Sequence, residues 1–465
     1  MDAIRKAEQV RDLALFFEQG TGKTRTTIEI LRRRYHANGR LLKTLIICPP
    51  IVCENWKREF ALYSKVNQKD IIVLRGPQTK RVEMFLKHTD NLLADKIFVT
   101  NYEAMQMDTL ADLLYKWKPE ILVCDESQRI KNFASKRAKR LAPFADITQH
   151  NYILTGTPIL NSTMDIFMQF RILDRGETFG KNYFVFRSQY FMDANEKWKD
   201  KPNHFPKYEM RMDMYDILQS KIKPKSLRVL KKDCLDLPPL IRQTIQVEMS
   251  KQQAKAYAEM KNDFIAFIES STGKPQAVVA QLAITKALRM QQIVSGYAST
   301  ETGEIVRFEN PRLDALTELL EDITPEHKVI VWCTFKENYR MIAEVCAKLK
   351  IKFCSITGDN LKTRDQEMDT FRSNPEYRVM IANQSAGGVG VNLVEASYMI
   401  YFSKSFKLED DLQSEARNYR GGSEMHDKVT RIDLVATGTI DELINEALEK
   451  KQNIADKVLT WRNIL

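Results

Sequence analysis

Nothing in these 465 residues is long and apolar enough to span a membrane, and the opening MDAIRKAEQVRD lacks the hydrophobic core of a signal peptide. A membrane channel or a secreted enzyme is thereby disfavoured. A soluble, intracellular protein is expected. The seven cysteines form no CxxC pair, and the six histidines do not gather near them. Neither a zinc site nor a disulfide framework is indicated, and reduced, mostly buried thiols are expected. Low-complexity tracts are missing too, while 43% hydrophobic and 28% charged residues are ordinary for a globular chain. The length allows two or three domains, each with its own core.

What the chain does have is a positive balance, formally +10. Between Lys181 and Lys232 it carries 13 Lys/Arg against 6 Asp/Glu, interleaved with Tyr183, Phe184, Phe186, Tyr190, Phe191, Trp198 and Tyr208. Such a segment suits a nucleic-acid surface, and equally a solvated helical face whose aromatics are its own core.

Close to the start stands FFEQGTGKT, Phe16 to Thr24, after the strand-like LALFF and before the helix-like TRTTIEILRRR. Strand, glycine loop and helix in that order make a phosphate cradle: Gly20, Thr21 and Gly22 let backbone N–H groups approach an anion, and Lys23 adds charge. Further along, ILVC runs into Asp125 and Glu126. Two carboxylates ending a buried strand need a partner, and Mg²⁺ near nucleotide phosphates is the economical one, held through Asp125 while Glu126 activates water. A helix N-cap is the alternative for that pair.

Apolar strand runs alternate with helical patterns twice. TLIICPP, DIIVL, KIFVTN, ILVCDE and NYILTGT occupy the first half, and KVIVWCTF, KFCSITG, YRVMIAN, YMIYFS and RIDLVAT the second. This predicts an α/β protein with two parallel sheets. From about Leu160 to Asn310 strand patterns fade, which reads as helical insertions plus a linker. In the second half SAGGVGVNL asks for close backbone approach at Gly387, Gly388 and Gly390. QSEARNYRGG would place Gln413, Arg417 and Arg420 on one face if helical, where an arginine could reach a γ-phosphate.

In this order the motifs resemble those of superfamily 2 helicases, and within them the Snf2 family of DNA translocases. EQGTGKT is similar to motif I, CPPIVCENWKREF to Ia, VTNYEAM to Ib, CDESQRIKN to II, LTGTP to III, and ITGDN, QSAGGVGVNL and QSEARNYR to the second-lobe motifs. ENWKREF, the RIKN after the acidic pair, LKKDCLDLPPL and the closing GTIDELINEALEKKQNIADKVL favour Snf2 over other helicases.

The resemblance implies two RecA-like lobes, 1–160 and 311–440, with Snf2-type helical insertions and a linker over 161–310 and a C-terminal helix over 441–465. It implies ATP and Mg²⁺ in the cleft, with Gly20, Thr21, Gly22, Lys23, Thr24 and Gly390 on the nucleotide and Thr24 and Asp125 on the metal. Glu126, Gln413, Arg417 and Arg420 would carry catalysis, Arg420 as the arginine finger. DNA would meet Asn101, Thr155, Gly156, Ser385 and Gly387, and the basic insertion adds Lys221, Lys223 and Lys225. The expected activity is ATP-dependent translocation on duplex, forked or branched DNA in replication, recombination or repair. A restriction or defence motor and a nucleotide switch that does not translocate remain open. Departures from the family pattern are Gln128 where motif II commonly has histidine, Tyr419 followed by Gly-Gly-Ser in motif VI, and no visible upstream glutamine segment for adenine.

Overall fold

The computed structural model describes residues 2–89, 92–196, 206–270, 276–299, 304–358, 363–387 and 392–459. Contacts divide them into two compact units: residues up to 194 with 206–235 and 451–459, and residues 195–196 with 236–450. Each is built on one parallel sheet, as the doubled strand pattern predicts.

In the first unit the strands are β1 (Leu13–Phe17), β2 (Thr44–Cys48), β3 (Ile71–Val73), β4 (Ile97–Asn101), β5 (Ile121–Asp125) and β6 (His150–Leu154). A small antiparallel pair follows, β7 (Phe191–Asp193) with β8 (Tyr208–Met210), and then β9 (Ser226–Val229). The sheet order is β3-β4-β2-β5-β6-β1-β9, every pairing parallel. Along β1, Ala14 and Phe16 enter one apolar core and Leu13, Leu15 and Phe17 the other. Helices cover both faces, so alternate residues are buried on opposite sides and the strands read as unbroken apolar runs.

The second unit contains β10 (Leu240–Val247), the hairpin β11 (Tyr297–Ser299) with β12 (Ile305–Arg307), β13 (Val329–Cys333), β14 (Lys352–Ile356), β15 (Tyr377–Asn383), β16 (Tyr398–Tyr401) and β17 (Val429–Ala436). Its parallel sheet runs β10-β17-β16-β13-β15-β14. The same two-sided burial holds: Val329, Val331 and Cys333 face one core, Ile330 and Trp332 the other.

Besides the two small antiparallel pairs, two strands of the large parallel sheets fall where the sequence suggests only helices and linker. β9 lies beside β1 at one sheet edge, and β10 lies beside β17 at another. Both are edge strands with one partner, and most of β10 (LIRQTIQV) is solvent-exposed, so the apolar run that marks an inner strand is missing. The helices of that region are present, at Lys251–Ser270 and Gln276–Val294, as is the closing helix Ile440–Leu459. No helix among the described residues is long and apolar enough to cross a membrane.

Candidate nucleotide-binding site

β5, β6 and β1 are consecutive in the first sheet, with Asp125 level with Leu154 and Leu154 level with Leu15. Their carboxyl ends therefore bring three loops together: Glu18–Gly22, Asp125–Glu126 and Thr155–Thr157. That edge is where ligands bind in parallel α/β sheets.

The glycine loop owes its shape to Gly20 (φ 85°) and Gly22 (φ 88°), both in the left-handed region that a side chain would strain. Gly22 caps the helix Lys23–Asn38. Thr21 folds its hydroxyl onto the Glu18 carbonyl (2.7 Å), and Lys23 Nζ donates to the Phe17 carbonyl (2.8 Å). Lys23 is thus held over the loop, with Thr24 next to it on the helix. Neighbouring elements brace the loop from two sides. A Cβ on Gly156 would meet the Phe17 carbonyl at 3.1 Å, so glycine there follows from the close approach of LTGTP. The Glu18 carboxylate accepts from the Lys231 backbone N–H (2.6 Å), and Glu18 N–H donates to the carbonyl of Val229, the last residue of β9. That brace comes from the segment read in sequence as linker.

Asp125 is 5% exposed. Its Oδ2 accepts from Trp56 Nε1 at 3.0 Å and its Oδ1 from the Glu126 N–H at 3.0 Å. Burial first, and then the neighbouring Glu126 charge, push its carboxyl up to about 7, against the pull of Lys23 and the two hydrogen bonds. A buried carboxylate under that pressure, with the Thr24 hydroxyl at the start of the neighbouring helix, supplies oxygen donors of the kind a hard divalent cation takes. Glu126 has φ 53°, a left-handed conformation that costs a non-glycine residue about 1–2 kcal/mol. Its Oε2 accepts from Gln128 Nε2 at 2.7 Å, so the glutamine in the place of the common motif II histidine orients it directly. Tyr102, fully buried, donates to the Asp125 carbonyl. Trp56 and Tyr102 are the functional supports that sequence reasoning passed over. Both lie within quoted motifs, and the signal for Trp56 was an indole set among the charged residues of ENWKREF.

The other site candidates are distributed as follows. Thr155 is buried, its hydroxyl accepting from Thr157 N–H. Asn101 is 8% exposed; its Oδ1 accepts from Arg81 and its Nδ2 donates to Glu103. Both ends of that amide are thus committed within the fold. Lys221 sits over the Tyr190 ring (5.7 Å), and Lys223 is exposed. Lys225 is bound by Asp174 and Glu177, both at 2.8 Å. Burial works to lower its pKa and these two partners more than reverse that, so it serves an internal ion triad. Phe186, Tyr190 and Phe191 are core residues. Six of the seven cysteines are buried and all are free thiols.

In the second unit Ser385 is exposed beside Asn383, and Gly387 ends the short helix Gln384–Gly387. Gly388 and Gly390 lie outside the described residues. The helix carrying Gln413 is Leu408–Glu415, and it stops before Arg417 and Arg420. The expectation of one helical face for all three is corrected: Asn418 turns inward to the Ala396 carbonyl, and Gly422 follows at φ 105°. Arg417 is 4% exposed, its Nε on the Gln413 carbonyl, and Arg420 is half-buried.

Beneath that segment lies a buried charge cluster. Arg431 Nη2 and Nη1 grip Asp411 (2.8 and 3.2 Å), Nη1 reaches Glu415 (2.8 Å) and Nε reaches Asp433 (3.1 Å). Arg242 of β10 also holds Glu415, Lys404 also holds Asp433, and the Arg431 guanidinium lies over Tyr401. Three cations meet three carboxylates, which is how buried charge is tolerated.

The comparisons bear on this arrangement. A family model described as SNF2-related domain matches residues 4–295, and one described as Helicase conserved C-terminal domain matches residues 311–422. The chain belongs to the SNF2 family. Among SNF2 relatives, YwqA of Bacillus subtilis (strain 168) is 26% identical over 455 residues, covering 96% of this chain and 46% of the relative. The uncharacterized ATP-dependent helicase MG018 of Mycoplasma genitalium is 27% identical, covering 95% of this chain and 40% of that protein. This SNF2 chain therefore spans less than half the length of these curated relatives. A solved Sulfolobus solfataricus SWI2/SNF2 ATPase core in complex with dsDNA aligns at 22% identity and TM-score 0.42, over 99% of this chain and 95% of that one.

Proposed function

We propose that this SNF2-family chain is a DNA-stimulated ATPase that translocates on duplex or branched DNA, remodelling forks or migrating branches in replication, recombination or repair. The observation carrying this reading is the buried Asp125–Glu126 pair, keyed by Trp56 and Gln128, at the same sheet edge as the Lys23 loop. The similarity to MG018, named as an ATP-dependent helicase, supports it.

In this reading Gly20 to Gly22 and Lys23 bind the phosphates of ATP, Thr24 and Asp125 hold Mg²⁺, and Glu126 orients the attacking water and takes its proton. Bound Mg²⁺ supplies neutralisation of phosphate charge. Arg420, and Arg417 beside it, stabilise the charge spread over the transferred group, for which a planar guanidinium is better suited than an ammonium.

Displacement of a third strand from a DNA triplex tests translocation directly. ATP-dependent displacement that fails with a non-hydrolysable analogue is expected. Hydrolysis without displacement would reduce the protein to a nucleotide-switched DNA-binding ATPase.

A further inference from the structure

The basic insertion presents one surface that the ATPase chemistry does not use. Asn182 caps the helix Tyr183–Tyr190 by accepting from the N–H groups of Phe184 and Val185, which fixes where the helix begins and which side chains face outward. Phe186 and Tyr190 enter the core, whereas Phe184 is 57% exposed. Beneath it the rings are locked: Tyr183 stacks on Phe133 at 3.8 Å and 14°, and packs edge-on against Phe167. Phe184 sits edge-on to Phe133 at 5.7 Å. On the other side Arg187 places its guanidinium 4.0 Å from the Tyr208 ring centroid and 5.3 Å from that of Phe184. Among the described residues Arg187 has no carboxylate partner. Lys181 immediately precedes the Asn182 cap, and Arg211 reaches the carbonyl of Gln189 near the end of the same helix.

An exposed ring on a rigid aromatic base, beside a stacked guanidinium whose charge no carboxylate answers, has the two features that bind an unpaired base and its phosphate. We infer that Phe184 and Arg187 form a stacking site for an unpaired base of single-stranded nucleic acid. The site would hold the single-stranded arm of a fork while the motor engages the duplex. The inference rests on DNA being the track, as proposed above, but its test needs no ATP turnover.

The test compares the full chain and its variants by anisotropy on blunt duplex, a fork with one thymidine arm, and the free thymidine oligonucleotide, with 2-aminopurine in the arm reporting stacking. Phe184→Ala is expected to weaken arm and oligonucleotide binding about tenfold, to restore 2-aminopurine fluorescence, and to leave duplex binding and the melting temperature unchanged. Phe184→Trp should keep the stacking signal. Phe184→Leu, apolar but without a π-face, should lose it. Wild-type binding by the leucine variant, or equal weakening on duplex and fork, would overturn the inference; so would unchanged nucleic-acid binding by the alanine variant, which would leave the surface to a protein partner. Fork binding that depends on Phe184 in a protein without ATPase activity would sink the translocase reading and leave this site standing. The reverse result would do the opposite.

Discussion

Arg431→Met removes the centre of the second unit's buried charge cluster while keeping most of the apolar stem. Breaking a buried ion pair by deleting one partner costs about 3–5 kcal/mol, because the remaining charge is stranded. Here Glu415 keeps Arg242 and Asp433 keeps Lys404, whereas Asp411 loses the only cation paired with it among the described residues. The lower end, about 3 kcal/mol, is therefore expected, lowering the second unit's melting transition by about 6–12 °C. The sign with pH follows from the carboxylates. Burial alone would raise Glu415 and Asp433, but Arg431, with Arg242 and Lys404, holds both below their usual range. A depressed folded pKa gives stability that is full above the unfolded value, near about 4, and is lost as pH falls through the folded one. The wild-type advantage should be complete at neutral pH and shrink on acidification below about 4. Because Asp411 and Glu415 lie on the helix leading to Arg417 and Arg420, DNA-stimulated kcat should fall with little change in KM for ATP. Differential scanning calorimetry across pH, paired with steady-state kinetics, reads both. A melting temperature matching wild type at neutral pH, or a gap that grows on acidification, would refute the reasoning.

Arg420→Ala should cut ATP turnover on the order of a thousandfold and leave DNA affinity nearly intact, with poor rescue by lysine; filter binding that shows DNA affinity lost and basal ATPase kept would make it a DNA contact instead. Neutralising Lys221 and Lys223 together should flatten the slope of log affinity against log salt by up to about 2. Lys225→Ala should instead lower thermal stability and barely move that slope, because Asp174 and Glu177 already hold the ammonium.

The inner strands and the glycine loop were legible in the sequence because two-sided burial writes itself as continuous Ile, Val and Leu, and because phosphate loops need glycine at fixed spacing. β9 and β10 were not, since an edge strand with one partner tolerates the Arg and Gln of LIRQTIQV. The acidic pair was visible, but its supports were not: Trp56 and Gln128 reach it from another helix and from two residues on, and only the fold brings an indole N–H to Asp125. The basic insertion was ambiguous for a physical reason. Its aromatics divide between the core, with Phe186 and Tyr190, and the surface, with Phe184, and composition cannot assign sides. Lys225 illustrates the same limit, a cation that counts toward net charge yet is spent on internal carboxylates.

ATP hydrolysis by the purified chain, with and without duplex DNA, for wild type and Glu126→Gln, tests the central claim most directly. The account predicts turnover that rises with DNA in the wild type and falls about a hundredfold or more in the variant, which still binds ATP. Near-normal hydrolysis in a folded Glu126→Gln protein, or wild-type hydrolysis indifferent to DNA, would contradict it.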